Sequence, residues 1–202
     1  MKALWLDELP AAFAKAHQLG NVVEITLSQV VASYVFYLFF VHWQETSDKR
    51  IVAPYVVKHA TRVYGDCIAQ LAEINRVSGH QLDFDNASEA EVKAAFAAVS
   101  MSSPPNMVID HKLTRATWFQ YFWNQQTRTN ESINRLMQMG RLISADLAKR
   151  LVDVNDCSFF NSMPFLLTVE KFRNPTLESW AGIFFEYLEA CRRVKEWVES
   201  HR

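Results

Sequence analysis

The chain has 202 residues, of which 50% are hydrophobic and 21% charged, the balance of an ordinary globular protein. Its net charge of −1 gives it no overall bias toward nucleic acid or acidic membranes. Three widely spaced cysteines, Cys67, Cys157 and Cys191, argue against a disulfide framework and against a zinc site. MKALWLDELP carries Asp7 and Glu8 and no apolar core, so it does not read as a signal peptide. The expected location is the cytoplasm.

Asp7 can cap a first helix running to Leu19, and Gly20 suits the position after its end. NVVEI (21–25) reads as a short extended linker. Ile25 to Trp43, ITLSQVVASYVFYLFFVHW, then carries no charge. Thr26 and Gln29 have capping-box spacing, which predicts a helix from Leu27. That helix is apolar all round, which suits a buried core helix or a membrane span. Ser28, Gln29, Ser33 and His42 weigh against lipid, so a central core helix is expected and a span is the minor reading.

QETSDKR (44–50) reads as a polar turn, with Pro54 early in the following helix. Val56, Ala60, Val63, Tyr64, Cys67, Ile68, Leu71 and Ile74 repeat at helical spacing, and Gly79 stops the run. Gly65 inside it predicts a close helix contact. Asp83 and Asp85 resemble the start of a calcium loop, but the required glycine is Ser88 and the closing glutamate is Ala94. Ser88 and Glu91 instead form a capping box for a helix with Val92, Ala95, Phe96 and Val99 on one face. SMSSPPNMVID breaks every period and marks a candidate subdomain seam near 100–109.

From His111 to Met139 the pattern is helical, as one helix or as two broken near Thr129. Gly140 ends it, and Ser144 caps the next helix. Another helix is expected over 161–172. In the last, Asn174 and Pro175 form the start. Leu177, Phe184, Cys191 and Val198 then repeat every seven residues, with Trp180, Tyr187 and Val194 in the second seam position.

The expected fold is all-α: a bundle of seven or eight helices packed around Leu27–Trp43, as one domain over 1–202. The glycines are isolated, so no phosphate-cradling loop is present. No GxSxG elbow and no paired Glu-x-x-His motif occurs. The sequence therefore indicates no catalytic residue, no cofactor and no metal ligand.

The primary expectation is a non-catalytic interaction or regulatory protein that binds another protein or a second copy of itself. Its candidate interface is Trp180, Tyr187 and Trp197, because large aromatics are enriched at interfaces. The alternative is a nucleic-acid face on 112–150. Seven Lys and Arg stand there against two acids, a net of +5, with Arg115, Arg128, Arg135, Arg141 and Arg150 as the candidate contacts. A third reading is an enzyme or carrier with an apolar pocket inside the bundle.

Overall fold

A computed structural model describes residues 16–168 and 175–201. Among these the chain is all-α, with two isolated bridges, Ser100 to Thr176 and Val108 to Arg115, and no strand. It forms two compact units, Met1–Ile51 and Val52–Arg202. The expected first helix over 7–19 lies largely outside the described residues.

The first unit contains α1, Ala16–Phe36, and a π-helical stretch, Tyr37–His42. The next helix, α2, spans Trp43–Ser78 and carries the chain from the first unit into the second. NVVEI is helical, and Gly20 lies inside α1 rather than after a helix end. QETSDKR is helical too. It contains neither glycine nor proline, so nothing in it forces a stop, and the Thr46 hydroxyl bonds back to the His42 carbonyl at 2.8 Å. In the π stretch the Trp43 N–H reaches the Leu38 carbonyl, five residues back, a widened turn of the kind found at functional sites.

The second unit is the bundle. It contains the rest of α2, then α3 (Glu89–Ala98), α4 (Trp118–Met137), α5 (Ala145–Asn155), α6 (Ser158–Thr168) and α7 (Ala181–Ser200). Helix α7 packs against α3, α5 and α6, and α4 packs against α5 and α6. The bundle is thus organised around α7. The seven-residue seam explains this: Leu177, Phe184, Tyr187, Cys191, Val194 and Val198 are fully buried.

The expected centre, Leu27–Trp43, is not in a core. Val31 is 60% exposed, Val35 45%, Leu38 39% and Phe39 61%. The reason is physical. Each bundle helix has one apolar stripe, and those stripes cover one another. Surrounding a helix so largely apolar needs several more such faces, and those of the described bundle helices are spent on one another.

Local chemistry sets the remaining boundaries. Ser88 and Glu91 form the expected capping box of α3. The loop before it is fastened to α7: Arg192 donates to the Phe84 and Ala87 carbonyls at 2.6 and 2.8 Å, and Lys195 holds Asp85 at 2.6 Å. Thr117 and Gln120 form a capping box that starts α4 later than the expected His111. Helix α4 runs unbroken through Thr129, which is buried. The polar middle of α4 therefore lies on core as well as solvent. Gly79 and Gly140 adopt positive φ, as helix-ending glycines do. Pro175 precedes a 3₁₀ turn, Glu178–Trp180, and α7 itself begins at Ala181. Asn174 lies outside the described residues. The segment 100–109 lies inside the second unit, where the Met101 N–H bonds the Pro175 carbonyl and the Trp118 indole bonds the Ser103 carbonyl.

Candidate functional site

The most unusual feature is the exposed helix of the first unit. Gly20–Phe40 is long and apolar enough to cross a membrane, it is the one such helix among the described residues, and none of its apolar window is buried. The uncharged run Ile25–Trp43 is 19 residues. At a rise of 1.5 Å per residue this is about 28 Å, close to the ~30 Å hydrocarbon thickness of a bilayer. Rings cluster toward its end, with Phe36 stacked on Phe40 at 4.7 Å and Phe39 on Trp43 at 6.3 Å. A tryptophan at that end matches the aromatic belt where water meets lipid. Val22, Val30, Tyr34 and Phe36, each at least 60% exposed, form a surface far more apolar than water-exposed helices carry.

The three aromatics expected at an interface belong to the interior or its edge. Tyr187 is fully buried and Trp197 is 7% exposed. Tyr187 packs on Phe159 and Phe160 at 5.5 and 4.9 Å. Trp197 stacks on His201 at 4.2 Å. Trp180 is half-buried, edge-on to Phe119 at 5.4 Å. One domain covers all three because α3, α5 and α6 surround α7.

The five arginines are dispersed. Arg115 lies on the bridged turn opposite Val108, Arg128 and Arg135 on α4, Arg141 in the 3₁₀ turn Gly140–Leu142, and Arg150 on α5. Arg128 is paired with Asp66 at 3.2 Å. Arg150 is held by Asp146, Glu196 and the Arg193 carbonyl. Burial depresses the pKa of His59 on α2, and the positive charges of Arg135, Lys58 and Arg62 push it the same way. Of the neighbouring rings, Trp118, Phe119, Tyr121 and Phe122 are buried, and Trp123, 39% exposed, is the one that faces solvent.

Where α2, α4 and α7 meet, a polar cluster is sealed inside. The Thr129 hydroxyl donates to Asp66 at 3.2 Å and the Gln70 amide to the Tyr187 hydroxyl at 3.4 Å. Burial pushes the Asp66 carboxyl above its ordinary value, against the pull of Arg128 and Thr129. It also raises the Cys67 thiol and the Tyr187 phenol, and lifts Cys157 to about 12. Such thiols stay protonated, and the thiolate is the nucleophile, so the cluster ties helices together rather than presenting a reactive group.

Two surface features were not foreseen. The turn between Val108 and Arg115 exposes Val108, Ile109 and Leu113 by 51%, 45% and 75%. Asp110 stiffens it by accepting from the Lys112 and Thr114 N–H groups and the Thr114 hydroxyl. Leu113 adopts φ 62°, which a leucine rarely does. The aspartate–threonine spacing was the available signal. A groove of about 530 Å³ lies between α3 and Glu178–Gly182, bridged by Lys93 and Glu178 at 3.8 Å. Among the described residues no three His, Cys, Asp or Glu side chains gather as a metal site. No family model, no curated protein and no solved structure matches the chain.

Proposed function

We propose that this chain is a single-span, membrane-anchored interaction protein. Gly20–Phe40 enters the bilayer, and Val52–Arg202 is a non-catalytic bundle that meets a protein partner at the membrane. The observation that carries this reading is the exposure of a predominantly apolar helix that is long enough to span. Left in water, such a surface would drive aggregation. In lipid it is stable, because the helix satisfies its own backbone. The stiffened apolar turn Val108–Arg115 supports the interaction role, since a preorganised contact loses little entropy on binding.

The cytoplasmic side is the proposed location of the bundle. Its three cysteines are free and buried, as in a reducing compartment. Lys49, Arg50 and Lys58 follow the span, against Lys2 and Lys15 before it, a small bias in the positive-inside sense.

Alkaline carbonate extraction of cells expressing the full chain tests the anchor. The protein is expected in the membrane pellet and released only by detergent. Removing residues 20–40 is expected to move it to the supernatant. A full chain that stays soluble after carbonate and needs no detergent overturns the reading.

A further inference from the structure

We propose that Thr26, Gln29, Ser33 and Tyr37 form the contact face of a dimer of two identical spans, with the Gln29 carboxamides hydrogen-bonded to each other across the two-fold axis. This rests on the reading of Gly20–Phe40 as a membrane span. The spacing of three, four and four residues places these side chains on one stripe of α1 and its π-helical continuation. From Ile25 to Phe40 the other residues are Val, Ile, Leu, Phe and Ala apart from Ser28 and Tyr34, and Asn21 and Glu24 lie before that stretch. Ser28 and Tyr34 carry hydroxyls off the stripe; the helix itself can satisfy Ser28, as the Val22 carbonyl satisfies Thr26 at 2.8 Å.

Gln29 is different. It lies four residues inside the uncharged run Ile25–Trp43, its side chain is exposed, and its carboxamide makes no hydrogen bond among the described residues. An unpaired amide in hydrocarbon is costly. Among the described residues the chain supplies no second span to pair with it. The partner in this proposal is another chain.

A second copy fits because a two-fold axis brings residue i against residue i. The carboxamide is both donor and acceptor, so it complements itself. One turn to either side, Thr26 and Ser33 are small enough to let the backbones approach closely, as interfaces between membrane helices require. The polar groups that argued against lipid at the level of sequence thus become the contact.

The test uses the full chain reconstituted in phosphatidylcholine vesicles, labelled for energy transfer and diluted with lipid. The wild type is expected to associate reversibly. Gln29→Leu is expected to weaken association about 3- to 30-fold, the range spanned by interhelical hydrogen bonds in membranes. Gln29→Asn is expected to retain most of it, and Ser28→Leu, off the stripe, to leave it unchanged. Cysteine placed at 33 should cross-link on oxidation and cysteine at 35 should not. A bilayer-inserted chain that stays monomeric, or that associates equally well as Gln29→Leu, overturns the dimer while leaving the anchor intact. Association only with a different membrane protein also overturns it. A chain that washes off the vesicles at alkaline pH overturns the anchor, and the dimer with it.

Discussion

Arg128 places its guanidinium 3.2 Å from the carboxylate of Asp66, joining α4 to α2 across the edge of the core. The two ends differ in solvation. The Asp66 side chain is 4% exposed and that of Arg128 47%. The pair therefore shields a buried anion with a cation that water still reaches. It also withdraws Arg128 from the basic surface that composition alone suggested.

Because burial raises the Asp66 pKa in the folded state above 3.8, the folded protein holds that proton more tightly than the unfolded chain. The associated stability is present below 3.8 and is lost as pH rises through the raised value. At neutral pH ionised Asp66 is a liability. Asp66→Asn keeps an acceptor for Thr129 and removes the charge. It is expected to match or exceed wild-type stability at pH 7 and to flatten the pH dependence just above 3.8. Arg128→Met does the opposite, stranding the buried charge at an expected cost of about 1–3 kcal/mol, below the fully buried case because Arg128 is half exposed. Urea unfolding of the full chain in detergent across pH 4–7 reads both.

Gly65 lies inside α2, and nothing is within 4 Å of where its Cβ would sit. Among the described residues there is no close helix contact of the kind its presence suggested. Alanine fits without displacing an atom, so Gly65→Ala is expected to stabilise by about 1 kcal/mol, the helix-propensity difference. A destabilised variant in thermal or urea unfolding would contradict this.

Phe184 is the hub of the aromatic core. Its ring lies 4.9 Å from Phe96, 5.2 Å from Phe159, 5.8 Å from Tyr187 and 6.2 Å from Phe122. These partners come from α3, α4, α6 and α7 itself, so one deletion loosens four helices. Phe184→Ala is expected to cost about 3–5 kcal/mol, measured as a lowered urea midpoint, and to leave membrane retention unchanged.

Patterns with a physical period were legible in the sequence. The seam of α7, the Ser88–Glu91 box and the Ser144 cap all follow from spacing, and the structure has them. What failed depended on facts outside any local window. Trp197 and Tyr187 seemed to exceed what one domain could cover, because the sequence does not show that α3, α5 and α6 all pack on α7. The Asp66–Arg128 pair joins residues far apart in the chain. The basic run of 112–150 looked like one surface, yet its arginines lie on four separate elements. QETSDKR looked like a turn because it is polar, and polarity alone does not stop a helix.

Leu38 and Leu188 make the sharpest comparison between the two units. Both lie in helical segments with aromatic neighbours. Leu188 is fully buried on α7, and Leu38 is 39% exposed. In a central core helix, Leu38→Ala would cost about 2–5 kcal/mol, the usual range for a large-to-small core change. That cost now belongs to Leu188, whose removal leaves a cavity among packed helices. Leu38→Ala leaves none and is expected to change bundle unfolding by under about 0.5 kcal/mol, as substitutions away from packed contacts do. A charge has a different effect at the same place. Leu38→Arg puts a guanidinium near one end of the proposed span, at a cost of up to about 3 kcal/mol where it does not reach the interface. It is expected to raise the fraction released by carbonate while leaving the urea midpoint of the bundle where it was. A drop in that midpoint for Leu38→Ala as large as for Leu188→Ala would return residues 27–43 to the core.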